Sequence, residues 1–264
     1  MIDLHCHILP GIDDGAKNWD ESLKMARLAV SEGITHILAT PHHMNRSWMN
    51  PKQVVESLTS ELQDRLDAED IPLTIFPGQE VRLHGEIIKN INNNEISFID
   101  ETNKYLLIEF PTAEVPAYAD RLFYEMQTNQ ITPVIVHPER NHAILKDPNI
   151  LYEFANRGIM SQVTAASYVG KFGKEIEKLS FQLIEHNLAH FIASDAHNTT
   201  NRLFYMREAM QKLEKDFGKE KVHFFNQTTR DLINGDPVRL SEAIKMEEKK
   251  DSLDSFRRLQ CINI

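Results

Sequence analysis

Cysteine is nearly absent from this chain: Cys6 and Cys261 are the only two in 264 residues. No disulfide framework is expected, and a reducing, cytoplasmic setting fits. No apolar run approaches the roughly 18 residues of a membrane span. No basic-then-apolar stretch of the kind that directs export is expected either. Positive charge is in deficit, with 29 Lys and Arg against 39 Asp and Glu and a net charge of −10. Such a balance gives no broad electrostatic grip on nucleic acid, so neither a nucleic-acid nor a membrane partner is expected. An acidic substrate stays open, because bound metal ions reverse the field locally. Also missing are G-x-G-x-x-G after the first strand and the P-loop pattern anywhere, which argues against dinucleotide and P-loop folds.

Seven short apolar runs are present, at 1–5, 35–40, 73–77, 104–110, 132–137, 159–164 and 189–194. Most are rich in β-branched residues and read as strands. Helical patterns alternate with them. Asn18 caps one helix, with Glu21 three residues on and Trp19, Leu23, Ala26 and Val30 as its inner stripe. Asn50-Pro51 opens another, with Gln53 at the capping-box position and Val54, Leu58, Leu62 and Leu66 inward. Ile176, Leu179 and Leu183 form a third stripe, and Met206, Met210, Leu213 and Phe217 a fourth; both read as core packing. Repeated strand–helix units predict an α/β fold with a parallel sheet, closed or nearly closed as a TIM-like barrel. A barrel of this kind fills about 200–250 residues as one unit. The expected division is a barrel over 1–240 and a charged tail over 241–264, where "KMEEKKDSLDSFRRLQ" changes the composition.

The polar residues gather at strand ends. His5 and His7 close the first run, two apart and therefore on one face. Asp14 lies on the loop that follows. His42 comes after the second run, Glu80 after the third, Glu109 near the end of the fourth and His137 at the end of the fifth. Asp195 and His197 follow the seventh, again two apart. Barrel enzymes collect their chemistry at the C-terminal ends of the strands. A lone strand-end histidine is usually a hydrogen-bonded group of no special role. Five imidazoles and four carboxylates converging are another matter, since burying them together without a cation is very costly. Imidazole with carboxylate suits Mn²⁺, Fe²⁺ or Zn²⁺. These groups are too many for one ion and could hold two or three. Three divalent ions and the four carboxylates would leave a local charge of about +2, which matches a phosphate monoester dianion.

Cys6 sits between the two histidines, in "DLHCHILPGIDDG". A thiol phosphatase would need arginine six residues past the cysteine, and that position is Ile12. On a strand Cys6 points away from His5 and His7 and reads as a small buried apolar residue. The histidines are the site.

These motifs resemble a known group. "DLHCH", "TPHH", "GQE", "IEF", "VHPER" and "SDAH" look like the metal motifs of the PHP (polymerase and histidinol phosphatase) superfamily. Within it, "DLHCHILPGIDDGA", "LLIEF", "ITPVIVHPER" and "FIASDAHN" are most similar to the bacterial manganese-dependent protein tyrosine phosphatases encoded with capsule or exopolysaccharide genes. The resemblance implies a distorted (β/α)7 barrel and a three-metal site. It would give one ion His5, His7, Glu80 and Asp195. A second would take Glu80, Glu109 and His137, and a third Asp14, His42 and His197. Asp13 in place of Asp14 stays open. Arg140 and Arg202 fall on the family's phosphate-binding arginines. Phosphotyrosine proteins, a bacterial tyrosine kinase tail among them, are the partners it implies.

Hydrolysis would then proceed by direct attack of a metal-activated hydroxide, with the ions and the arginines offsetting phosphoryl charge. Histidinol-phosphate hydrolysis, a phosphodiesterase and an inactive metal-holding module are the rivals. Met44, Trp48 and Met49 lie on a loop after the second strand and could flank an aromatic ring. Cys6→Ser separates the two readings of the opening motif. The variant should keep most of its phosphatase turnover, whereas a folded, metal-loaded but dead Cys6→Ser protein would make the thiol the nucleophile.

Overall fold

A computed structural model of the chain describes residues 1–247. Strands and helices alternate along them. The strands are β1 (Ile2–Cys6), β2 (His36–Ala39), β3 (His42–His43), β4 (Thr74–Pro77), β5 (Glu80–Arg82), β6 (Tyr105–Glu109), β7 (Thr132–Val136), β8 (Met160–Thr164) and β9 (Phe191–Ala193). The helices are α1 (Trp19–Ser31), α2 (Lys52–Ala68), α3 (Ile87–Asn92), α4 (Ala119–Thr128), α5 (His142–Lys146), α6 (Asn149–Ala155), α7 (Ala165–Tyr168), α8 (Lys174–Glu185), α9 (Met206–Phe217) and α10 (Lys219–Asn234).

Every strand pairing is parallel. The order is β1-β2-β4 in one sheet and β3-β5-β6-β7-β8-β9 in the other. The seven expected strands are all present, and two of them continue past a break. Thr40-Pro41 separates β2 from β3, and Gly78-Gln79 separates β4 from β5. Hydrogen bonds carry across both breaks, from Gly78 N to Ala39 O at 2.9 Å and from Glu80 N to Pro41 O at 3.1 Å. The broken ladder turns the strand ends without losing the pairing partner. β1 also meets the chain just beyond β9: Asp195 N donates to His5 O at 2.8 Å, and His7 N to Ala196 O at 2.9 Å.

Side-chain alternation sorts the strand residues into two layers. One face packs under the helices, with Ile37, Leu106, Ile108, Ile135, Val163 and Ile192 against helix residues such as Leu62, Phe123 and Leu183. The other face builds a smaller apolar cluster from Leu38, Leu107, Val134, Met160 and Phe191. Glu109 is two residues past Leu107, and Gln162 two past Met160. The same alternation therefore places them on that inner face, one step toward the strand ends.

The helix starts hold two results. Asn18 caps α1 as expected, accepting from Glu21 N at 3.0 Å, while Glu21 accepts from Lys17 N at 2.9 Å. Asn50 does not cap α2. The cap position is Pro51, with no side-chain hydrogen bond. Asn50 instead donates to Ile12 O at 2.9 Å and His42 O at 2.8 Å. Two part-buried carbonyls, one in a loop and one in β3, take the amide as donor and hold it away from the helix. Val54 is correspondingly exposed and Val55 fully buried, one residue off the expected stripe.

The first residues of the segment expected as a tail lie on the body. Ile244 N donates to His186 O at 2.9 Å, Met246 N to Asn149 Oδ1 at 3.0 Å, and Met246 is buried. The rest of that segment, 248–264 with Cys261, lies outside the described residues.

An aromatic trio joins the end of β6 to α4 and α6. Phe123 stacks on Phe110 with centroids 5.9 Å apart and meets Phe154 edge-on at 5.3 Å. Phe123→Ala should cost about 3–5 kcal/mol, the usual loss for a fully buried aromatic truncated to alanine. Chemical denaturation measures it, and a loss under about 1 kcal/mol would show that the trio does not hold the layer together.

Candidate metal centre

All eleven residues expected at the site come together where the strands end. His5 closes β1 and His7 follows it. His42 opens β3, Glu80 opens β5 and Glu109 ends β6. His137 follows β7, and Asp195 and His197 follow β9. Asp14 comes from the loop after β1 and Arg202 from the loop before α9, and Arg140 ends the 3-10 turn Pro138–Arg140. His137 and Asp195 both have left-handed backbone, at φ 36° and 52°. Such residues cost on the order of 1–3 kcal/mol each and persist where the surroundings fix them.

The centre is built on His5 and His7. Their Nε2 atoms stand 3.2 Å apart. Each is 3.3–3.4 Å from Glu80 Oε2 and from Asp195 Oδ1. Ligand atoms about 2.0–2.3 Å from a shared ion lie roughly 3 Å from their neighbours, so these spacings suit coordination. The tautomers agree. His5 Nδ1 faces Gln162 Oε1 at 3.0 Å, and His7 Nδ1 faces Asp13 Oδ2 at 2.7 Å. With both Nδ1 atoms donating, both Nε2 atoms turn toward the two carboxylates; burial works against charge on His7, yet Asp13, Asp195 and Glu80 raise it well above its ordinary range. His197 is oriented likewise, with Nδ1 2.9 Å from Asp195 O and Nε2 3.4 Å from Asp14 Oδ1.

His42 spans the site. Its Nε2 is 3.4 Å from Asp14 Oδ1, and its Nδ1 is 2.8 Å from Glu80 Oε2 and 3.8 Å from Glu109 Oε2. His137 Nε2 reaches the other Glu80 oxygen at 2.7 Å. Three groups could each hold an ion: His5, His7 and Glu80; His42, Glu80 and Glu109; and His7, Asp14, His42 and His197.

Electrostatics tests the fit to cations. Buried atoms without a hydrogen-bond partner include His42 Nδ1, Glu80 Oε2, Glu109 Oε2 and His197 Nε2, all facing this centre. Burial and the neighbouring Glu80 charge push the Glu109 carboxyl up to about 7. Burial and the Arg140 charge hold His137 down to about 3. Burial and His7 hold His197 down to about 4, so both imidazoles keep free lone pairs at neutral pH. His42 is also penalised by burial, yet Glu80 and Asp14 raise it to about 10, so a proton can stand where positive charge is wanted. The donor set fits hard or borderline divalent ions.

Asp195 faces two ways. Its Oδ1 looks toward the histidines. Its Oδ2 takes Arg140 Nη1 at 2.7 Å and Arg202 Nη2 at 3.0 Å. Arg202 also reaches Asp14 Oδ2 at 3.3 Å. The Asn198 side-chain oxygen accepts from the backbone N–H of Thr200, Asn201 and Arg202, which shapes that loop.

Several supporting residues escaped the strand-end pattern. Asp13, open against Asp14 in the sequence, holds His7 Nδ1 and accepts from Gly15 N at 2.9 Å and His42 N at 3.1 Å. Asp14 is the one beside His42 and His197. Gln162 was findable as the lone long polar side chain in the run 159–164. Arg82 pairs with Glu109 Oε2 at 3.0 Å. Glu139 is fully buried and accepts from Thr164 N at 3.0 Å, which ties the Arg140 turn to the end of β8. Cys6 is fully buried, and burial pushes its thiol well up, as its reading required.

Parallel strands that deliver imidazoles and carboxylates to one end make this a candidate metal centre on an α/β scaffold. The comparisons narrow the class. Residues 1–234 match the family described as "Capsular polysaccharide synthesis, CpsB/CapC". The tyrosine-protein phosphatase YwqE of Bacillus subtilis is 44% identical over 238 residues, 90% of this chain and 93% of its own. CapC of Staphylococcus aureus is 42% identical over 248 residues, 94% of each chain. Among solved structures, one from a study of YwqE from Bacillus subtilis and CpsB from Streptococcus pneumoniae, described as unique metal-dependent tyrosine phosphatases, aligns with a TM-score of 0.91. It is 42% identical and covers 94% of this chain and 100% of that one. The chain belongs to the CpsB/CapC family, a PHP-type group.

Asp13→Asn keeps the shape of the support but weakens its hold on His7. Loss of a carboxylate behind a ligand histidine typically lowers metal affinity 10–100-fold. Titrating Mn²⁺ into chelator-stripped protein measures this, and affinity within twofold of wild type would remove Asp13 from the centre.

Proposed function

We propose that this protein is a metal-dependent protein-tyrosine phosphatase that hydrolyses phosphotyrosine monoesters. The observation that carries the reading is the set of buried His42, Glu80, Glu109 and His197 atoms that face one centre without well-formed hydrogen bonds. Membership of the CpsB/CapC family supports the reading. The resident ions are two to three Mn²⁺. His5, His7, Glu80 and Asp195 hold one. Glu80 and Glu109 hold a second with His137, and Asp14, His42 and His197 a third. The ions, when bound, activate a water and offset phosphoryl charge.

The chain's own residues do the rest. Arg140 and Arg202 turn from Asp195 Oδ2 to the phosphoryl oxygens, where charge spreads as the ester bond breaks. Asp13 and Gln162 keep the ligand tautomers. The tyrosine phenolate leaves readily, so no strong general acid is required. The scaffold is a distorted (β/α)7 barrel over residues 1–240. The hydrogen bonds from Asp195 to His5 and from His7 to Ala196 support closure between β1 and β9. Among the described residues no helix is long and apolar enough to cross a membrane. We place the enzyme in the cytoplasm, acting on a bacterial tyrosine kinase tail and its targets in exopolysaccharide regulation.

The test compares kcat/KM on a phosphotyrosine peptide, the matching phosphoserine peptide and histidinol phosphate in Mn²⁺ buffer. The phosphotyrosine peptide should be preferred, a chelator should abolish turnover, and folded Glu80→Ala protein should lose both bound metal and activity. A tenfold preference for histidinol phosphate would move the protein to the sister branch. Full activity in metal-free Glu80→Ala protein would remove the centre altogether.

A further inference from the structure

One aromatic residue at the rim of the centre has no role in the packing described above. Phe172 is 36% exposed. It occupies the third position of a tight turn closed by Gly173 N donating to Gly170 O at 3.2 Å. Gly170 and Gly173 have φ of +79° and +97°, which other residues rarely adopt. The turn is anchored on both sides. Lys171 N donates to Ala166 O of α7 at 2.9 Å, and Glu177 N of α8 to Gly173 O at 3.0 Å. Backbone geometry therefore presents the ring at the surface.

The ring has a specific neighbour. The guanidinium carbon of Arg140 lies 5.7 Å from the Phe172 centroid. The same guanidinium reaches Asp195 Oδ2 at 2.7 Å. Arg140 thus stands between the metal centre and an exposed aromatic ring. A guanidinium binding a phosphoryl oxygen holds it at about 2.8 Å. In an aryl phosphate the ring centre follows the phosphorus by only roughly 4 Å, so an aryl group turned toward Phe172 falls within the 4.5–7 Å range of aromatic pairs.

Resting on the phosphatase reading, we infer that Phe172 is a wall of the aryl-binding cleft, packing against the ring of an aryl phosphate held by Arg140. The residue then selects aryl over alkyl monoesters, a choice that phosphate recognition alone cannot make. Met49 on the loop before α2 is also exposed, at 61%, but no cation–aromatic or ion-pair contact ties it to the arginines. Phe172 has that tie.

The experiment uses the Mn²⁺-loaded full chain and reads inhibition of phosphotyrosine-peptide turnover by phenylphosphonate and by methylphosphonate. Phe172→Ala should raise the Ki ratio of phenyl to methyl by roughly three- to tenfold, the worth of one aromatic pair. Phe172→Tyr should restore the wild-type ratio. An unchanged ratio in Phe172→Ala overturns the inference. So does an equal weakening of both inhibitors, which would make Phe172 a support for Arg140 and nothing more. Absence of phosphotyrosine turnover in the wild-type enzyme would instead sink the phosphatase reading, before any variant is made, and the inference with it.

Discussion

Two imidazole nitrogens facing each other at 3.2 Å are the constraint around which this molecule is organised. Nitrogens that close need a proton or a cation beside them. Gln162 and Asp13 prevent either ring from escaping by changing tautomer. The carboxylates of Glu80 and Asp195 add negative charge to the same space, and burial denies all four groups the relief of water. The fold supplies the walls for this arrangement. Apolar residues fill the inner face of the strands below it, and the helices cover the outer face. The centre is thus strained by electrostatics and held by packing.

Asp195 shows how the site keeps two tasks apart with one residue. Its Oδ1 belongs to the histidines and its Oδ2 to the arginines. Contacts on both oxygens, to His5 and His7 on one and to Arg140 and Arg202 on the other, hold the carboxylate in one orientation. The Arg140 turn is fixed as firmly by buried Glu139. Only the guanidinium ends are free to change partners. That suits groups that must release a carboxylate and take up an anion without disturbing the metal ligands next to them.

Much of this was legible in the sequence. The strand runs were readable because parallel strands buried on both faces give short, continuous apolar stretches. The ligands were readable because each falls at the end of such a run. What remained hidden depended on tertiary geometry. The breaks at Thr40-Pro41 and Gly78-Gln79 leave no mark in the apolar pattern, yet they turn His42 and Glu80 inward. Asn50 reads as a helix cap, since its competing partners, the carbonyls of Ile12 and His42, are remote in sequence or shaped by the loop. Asp13 and Asp14 are neighbours of one type, and only the positions of His7 and His197 assign them different partners. His42 contacts two ligand groups because its ring has two nitrogens, which no spacing rule encodes.

The joining of β1 to the residues after β9 has a consequence for synthesis. His5 and His7 leave the ribosome first, while Asp195 and His197 follow about 190 residues later. The early histidines find Asp13 and Glu80 first, but Asp195 only after all nine described strands have been made. Contacts of such sequence separation form late and slowly. A nascent chain therefore carries seven of the nine candidate ligands, from His5 to His137, before Asp195 and His197 complete the set. A chain stalled before residue 195 lacks the one carboxylate that faces both the histidines and the arginines, and that side of the centre stays open.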